Sequence, residues 1–272
     1  MISQWLNEVR NARPLVHNMT NLVVNNIVAN ALLALGASPV MAYADEEVAD
    51  MAKMAGALAL NMGTLNPALV SAMYIAGISA NQASVPIIFD PVGVGATPYR
   101  TRTANELVAQ LNPTVLRGNA GEIGLMVGSG GQVIGVDSQG ATDRLPIVMK
   151  QYAKDHQMVV AATGADDFVT DGKTIWRLQN GHPWLATITG SGCSLTGILG
   201  AFMGVVADKD NLAECAQAVI AGITCVNVAA ERAAISAQGP GTFQAAWLDA
   251  LYQLTAQEVD EQAQVVVMEG EV

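Results

Sequence analysis

Positive charge is what this sequence has least of. Thirteen Lys+Arg stand against twenty-four Asp+Glu, for a formal net charge of −11 and a sequence pI near 4.5. A nucleic-acid partner needs a basic face, and so few scattered cations do not build one. A phosphate-bearing small molecule is not excluded, because helix N-termini, a metal ion and one or two arginines can hold it locally. Aromatic residues are also scarce, at 5%, so the core has to be packed with Ala, Val and Gly. The three cysteines, Cys193, Cys215 and Cys225, are odd in number and show no C-x-x-C spacing. They therefore indicate neither a disulfide framework nor a zinc site, and a reduced, cytoplasmic protein is expected. His17, His156 and His182 lack metal-like spacing and are read as ligands of nothing. The apolar stretches near 195–206 and 219–230 read as too short or too polar to cross a bilayer. The opening MISQWLNEVRNARPLVHN lacks the apolar core of a signal peptide. No membrane partner is expected. Both familiar nucleotide signatures are missing too: there is no G-x-x-x-x-G-K-[ST] run, and the segment from Gly93 departs from G-x-G-x-x-G at Pro98.

Apolar residues, by contrast, are abundant. They make up 51% of the 272 residues while charged ones reach 14%, enough for a large core and for apolar faces between subunits. Short β-like runs appear at 38–42, 57–62, 85–90, 113–118, 158–163, 167–172 and 174–179. Helical patterns occupy roughly 2–11, 20–35, 45–54, 66–82, 100–111, 119–127, 142–155, 190–206, 210–235 and 240–254. Asn66-Pro67 is a cap followed by proline at the first helical position. This alternation predicts an α/β fold with a mostly parallel central sheet and helices on both faces. The run FVTDGKTIWRL, turning at Asp171-Gly172, predicts an antiparallel hairpin at one end. No linker or repeat divides the chain, so one domain over 1–272 is expected, with a tail from about 255 that frays or packs on a neighbour.

In open α/β sheets the ligand sits beyond the carboxyl ends of the strands, and the unusual polar residues fall there. TITGSGCSLTG (187–197) is a glycine-rich turn opening a helix, whose free amides suit an anion. Its Cys193 is either a small buried residue or a thiol made reactive by the helix N-terminus. RGNAGEI (117–123) reads as a capping box between Asn119 and Glu122, or as a hard-cation site using Glu122. Asp90, ending an apolar strand in DPVGVGAT, either caps its turn or supplies a second carboxylate to that cation. Arg117 stands at a strand end as a candidate phosphate ligand or a surface cation, and Thr163 as a candidate phosphate donor or a turn residue. PLVHNMTNLVVNN (14–26) carries four asparagines on what reads as a helix start, with Asn21 and Asn25 sharing a face at i and i+4.

In this order, PLVHNMTN, GASPVMA, LALNMGTL, FDPVGVGAT, RGNAGEI, ATGADD, TGSGCSLTG and GPGTFQ resemble the hydroxyethylthiazole kinase family of the ribokinase-like superfamily, across essentially the whole chain. The resemblance implies a ribokinase-like three-layer sandwich and ATP-dependent phosphorylation of the side-chain hydroxyl of 4-methyl-5-(2-hydroxyethyl)thiazole, feeding thiamine phosphate synthesis. It implies that the thiazole lies against Met41 and Gly190, with Asn21 and Asn25 beside it. ATP phosphates would lie at Arg117, Thr163 and Gly192, and Mg²⁺ at Asp90 and Glu122. A homotrimer with active sites at subunit boundaries is implied as well. Cys193 occupies a position that most of the superfamily gives to an aspartate, and is expected to receive or orient the alcohol proton. Rival expectations are a hydroxymethylpyrimidine kinase, a dehydratase of hydrated nicotinamide nucleotide, or a non-catalytic nucleotide or metabolite sensor.

Overall fold

Successive residues of a strand point to opposite faces of a sheet, and here both directions lead into an apolar core. The structure, a computed structural model, describes residues 2–128 and 144–268. Ala57 and Ala59 of strand β3 (Ala57–Asn61) join one core and Leu58 and Leu60 the other. The remaining parallel strands are β1 (Leu15–Met19), β2 (Ser38–Val40), β4 (Ile87–Asp90), β5 (Val115–Asn119) and β6 (Val159–Thr163). They lie in the order β2-β1-β3-β4-β5-β6, and three antiparallel strands complete the sheet: β7 (Asp167–Thr170), β8 (Ile175–Leu178) and β9 (Val265–Val267).

One face carries α1 (Ser3–Ala12), α2 (Asn25–Leu35), α8 (Ser191–Met203), α9 (Leu212–Ser236), α10 (Pro240–Gln253) and α11 (Ala256–Gln262). The other carries α3 (Val48–Met54), α4 (Pro67–Gln82), α5 (Pro98–Leu111), α6 (Ala120–Val127) and α7 (Leu145–His156). The α/β three-layer arrangement and the β7–β8 hairpin are as the sequence predicts. So is the Asn66 cap of α4, which accepts from Leu69 N–H. The helix expected at 142–155 is described from Leu145; residues 142 and 143 lie outside the described residues.

Three expectations are corrected. The segment 14–26 is not a helix start. Leu15–Met19 is a strand paired with both β2 and β3, and α2 begins at Asn25. Asn21 thus precedes the helix, and the i, i+4 face with Asn25 is not formed. Its polar residues misled the reading, since His17 and Asn18 are buried at a strand buried on both sides. The tail neither frays nor waits for a neighbour over 256–267. It forms α11 and then β9, which pairs antiparallel with β8. Finally, the apolar stretch near 219–230 belongs to a helix of 25 residues. By length and composition α9 could cross a membrane, but 78% of its most apolar window is buried inside the fold.

Topology singles out one place on this sheet. The chain runs from β1 outward to β2, then returns to the other side of β1 for β3, so connections diverge between β1 and β3. A crevice opens beyond the strand ends at such a reversal. Helix α8 lies close over it because Gly200 has no side chain: a Cβ there would stand 2.7 Å from Val16 Cγ1.

The tail correction has a stability consequence. Gln179 N–H donates to Gln264 O (2.9 Å), Met268 N–H to Ile175 O (2.9 Å) and Gln264 N–H to Asn180 Oδ1 (2.7 Å). Truncation after Gln262 is expected to lower unfolding free energy by about 1–3 kcal/mol, read from urea denaturation. An unchanged midpoint would show that β9 contributes nothing.

Candidate active site

Beyond the strand ends, β3, β4 and β5 and the first turns of α8 are joined through one buried carboxylate. Asp90 is 1% exposed. Its Oδ2 accepts from Thr196 Oγ1 (2.7 Å), Asn61 Nδ2 (2.8 Å) and, more distantly, Arg117 Nη1 (3.4 Å). Its Oδ1 is buried with no partner among the described residues. Burial raises the Asp90 pKa to about 6, with Arg117 opposing that rise and Glu122 adding to it.

Arg117 is not a surface cation. Its guanidinium turns inward, donating from Nη1 to Gly192 O (2.9 Å) and from Nη2 to Thr163 Oγ1 (2.8 Å). It thereby links β5, the end of β6 and the first turn of α8. Thr163 in turn donates to Gly118 O (3.3 Å). Helices α4, α5 and α6 also start beyond strands and each has a side-chain cap, whereas α8 has none. Its first amides remain open to an anion. Gly190 sets this end of the helix at φ +92°, where a Cβ would also stand 2.6 Å from Ile27 Cγ2.

Cys193, half-buried, sits on that open turn. Asn21 Nδ2 donates to its Sγ (3.3 Å) and to Asn61 Oδ1 (3.0 Å), and Asn61 Oδ1 also accepts from Gly63 N–H (2.9 Å). Burial pushes the thiol pKa up and the Asp90 charge adds to this; Asn61, Asn21 and Arg117 oppose. The net result is a thiol pKa above its ordinary value.

Glu122 fulfils the capping-box reading and does more. Its Oε2 accepts from Asn119 N–H (2.9 Å) while Asn119 Oδ1 accepts from Glu122 N–H (2.9 Å). The other oxygen, Oε1, takes the Gly93 N–H (2.8 Å), bringing the loop after β4 to the carboxylate.

A cavity of about 740 Å³ is lined by Asp90, Arg117, Glu122, Thr163, Gly190, Gly192 and Cys193, seven of the ten residues expected at a site. Asn21 reaches it through Cys193. Met41 and Asn25 do not line it. Met41 follows β2 and packs against the α8 side, with the next residue fixed by His17, whose Nε2–H donates to Ala42 O (2.9 Å). Asn25 Oδ1 accepts from Tyr43 OH (2.9 Å). A second cavity of about 470 Å³ is lined by Thr20, Leu22, Tyr43 and Thr64, so the neighbours of Asn21 on either side face it.

Several residues that build the site escaped the sequence reading. Thr196 lies one turn after Gly192 on α8, a spacing that signals a shared face. Arg100 donates to the carbonyls of Met62 (2.6 Å), Val92 (2.8 Å) and Gly63 (2.7 Å), tying together the loops after β3 and β4. Its helix position gave no sign of this. Asp167 and Asn227 line the far end of the large cavity, and Asn227 was visible in sequence as an amide inside an apolar helix.

Known proteins match this chain closely. The hydroxyethylthiazole kinase family matches residues 6–257. A hydroxyethylthiazole kinase of Moorella thermoacetica is 51% identical over 251 residues, 92% of each chain. The structure of a hydroxyethylthiazole kinase protein from Pyrococcus horikoshii OT3 superposes with a TM-score of 0.88 at 38% identity, over 98% of this chain and 99% of that one. A pyridoxal kinase from Staphylococcus aureus in complex with pyridoxal reaches a TM-score of 0.60 at 15% identity, over 94% and 99% of the two chains, which is a likeness of fold.

The buried carboxylates make stability depend on acid. Asp167 is 5% exposed; its Oδ1 accepts from Gly164 N–H (2.9 Å) and its Oδ2 from Asn227 Nδ2 (2.7 Å). Burial still raises its pKa to about 6, above the ~3.9 of an unfolded chain. Between those values the folded state holds a proton that the unfolded state has released, so stability falls as pH rises from about 4 to about 6. Asp167→Asn is expected to remove roughly 3 kcal/mol of that fall, leaving the part due to Asp90. Urea denaturation at a series of pH values measures it, and an unaltered slope in the variant would refute the assignment.

Proposed function

The chain belongs to the hydroxyethylthiazole kinase family, and we infer that its cleft transfers the terminal phosphoryl group of ATP to the primary hydroxyl of 4-methyl-5-(2-hydroxyethyl)thiazole. The product is a thiazole phosphate suited to thiamine phosphate synthesis. One observation carries the placement of this chemistry: the uncapped N-terminus of α8, the Arg117 guanidinium and the Cys193 thiol converge on one cavity beyond the carboxyl ends of β4, β5 and β6.

Phosphoryl transfer asks a protein mainly for positioning and charge neutralisation. The open amides of Gly192 and Cys193 stand ready for the oxygens of the transferring group, and their alignment is set before the substrate arrives. Arg117 and Thr163 hold the phosphates on the other side. Mg²⁺ fits the carboxylates present. Asp90 Oδ1 is a buried acceptor without a donor, and each Glu122 oxygen keeps a lone pair beyond its backbone N–H. No cluster of three metal-binding side chains occurs among the described residues, which suits an ion that keeps waters and binds phosphate oxygens. When bound, Mg²⁺ supplies charge neutralisation for the polyphosphate.

The thiazole alcohol approaches from the side of the second cavity, past Asn21, with Met41, Gly190 and Asn25 around it. Cys193 faces its hydroxyl. Because burial favours the neutral thiol, Cys193 orients the hydroxyl through hydrogen bonding, with Asn21 holding the sulfur in place. A loose transition state needs little base strength from the attacking side. Leu22 and Val23 beside this cavity are 71% and 70% exposed. Apolar residues so placed suit a contact between subunits, and we propose a cytoplasmic homotrimer in which that contact closes the alcohol site.

Two measurements test this reading. With ATP and Mg²⁺, the thiazole alcohol is expected to be phosphorylated at least tenfold faster than a hydroxymethylpyrimidine. In the same assay Cys193→Ala should lose about tenfold or more in turnover, while Cys193→Asp retains or exceeds the wild-type rate. Near-total loss in the Asp variant together with a trapped phosphocysteine would refute the orienting role. Glu122→Gln is expected to raise the Mg²⁺ concentration for half-maximal turnover about tenfold. An unchanged Mg²⁺ titration would remove Glu122 from the cation's surroundings.

A further inference from the structure

The large cavity extends well past the phosphate-binding residues, to a wall built on α9. Asn227 stands there, 6% exposed, in the middle of the helix. Thr224, one turn earlier, satisfies its hydroxyl on Ile220 O (2.8 Å) within the helix. Asn227 does not bond within its helix. Its Nδ2 donates one hydrogen to Asp167 Oδ2 (2.7 Å) and the other to Asn180 O (2.8 Å). A carboxylate and a carbonyl accept but do not donate, so the amide cannot be turned round without placing its oxygen against two acceptors.

Both acceptors are themselves fixed. Asp167 holds the Gly164 N–H (2.9 Å), and Asn180 is tied to Glu231 (3.2 Å), to Gln262 O (2.9 Å) and to Gln264 N–H (2.7 Å). The orientation of Asn227 is therefore set by β7, β8 and the chain between α11 and β9 together. Its oxygen is left over. Among the described residues nothing donates to Asn227 Oδ1, and the residue lines the cavity. A nearly buried side chain held rigidly by two bonds, with its third polar atom free, is a ready acceptor for a ligand hydrogen.

We propose that Asn227 is the specificity-determining residue of the nucleotide half of the cleft, its amide oxygen accepting a hydrogen bond from a hydroxyl of the ATP ribose. This rests on the reading of the cavity as the ATP site. The sugar is the better match than the base for a reason of distance. Two hydrogen bonds, through Asp167, separate Asn227 from Gly164, the neighbour of the phosphate-binding Thr163. Pro183, Leu185, Leu195 and Val226 supply apolar walls for the base in the same cavity.

The test is steady-state kinetics of the full chain with the thiazole alcohol and four nucleotides: ATP, 2′-deoxy-ATP, 3′-deoxy-ATP and inosine triphosphate. The wild type is expected to lose about tenfold or more in kcat/KM on at least one deoxy analogue, and little on inosine triphosphate. In Asn227→Ala the preference for ATP over that analogue should shrink to within about twofold, with KM for the thiazole alcohol unchanged. Use of both deoxy analogues as efficiently as ATP by the wild type overturns the proposal even if the variant fails to fold. So does a loss confined to inosine triphosphate, which would assign the oxygen to the base amine. Absence of any turnover with ATP overturns the functional reading beneath it instead.

Discussion

The cleft depends on one buried carboxylate. Asp90 gathers donors from β3, β5 and α8 onto a single oxygen, and without that gathering these elements would have no common point at the strand ends. Burying a charge is unfavourable unless it is paired and hydrogen-bonded, and the raised pKa of Asp90 shows that the compensation is incomplete. Its Oδ1 has no hydrogen-bond partner among the described residues. An acceptor left open in the interior is poor for stability, and under the proposed function it suits a cation arriving with the nucleotide.

Around Asp90 the site is built from opposites held close together. The α8 terminus attracts negative charge through uncapped amides, and Arg117 crosses beneath it to reach both Gly192 and Thr163. Asn21 and Asn61 pass hydrogen bonds from the β1 and β3 ends to the thiol. Cys193 is thus embedded in a chain of amides, its pKa raised by burial and then by the Asp90 charge. At the far end Asp167 and Asn227 repeat the theme: a buried carboxylate orients an amide. Each polar side chain is positioned by a neighbour on a different element, which makes the geometry rigid before any ligand binds.

Much of this was legible in the residues. Apolar runs bounded by glycine and proline located seven strands, five parallel ones and the two of the hairpin, because period and length agree there. TGSGC, DPVGVG and RGNAGEI marked three loops that do meet at the cavity. The failures share a cause. Leu15–Met19 carries His17 and Asn18, residues that signal a polar surface, and they are buried because Ala42 O and Val16 O accept their hydrogens. VVV at 265–267 signalled nothing until β8 was there to pair with it. Arg100 takes its role from the carbonyls of Met62 and Gly63, and Asp167 from the side chain of Asn227, all far along the chain.

The amino-acid sequence by itself determined the alternation of strands and helices, the glycine-rich opening of α8 and the family to which the chain belongs. These are properties of local pattern, where propensity, periodicity and turn chemistry act over a few residues. Tertiary structure decided which polar atoms were used and which were left open. That Arg117 turns inward, that the Cys193 pKa is raised, and that the Asn227 amide is committed to Asp167 and Asn180 all follow from burial and from partners on other elements. Hydrogen-bond satisfaction and desolvation are settled in space, after the chain has folded back on itself.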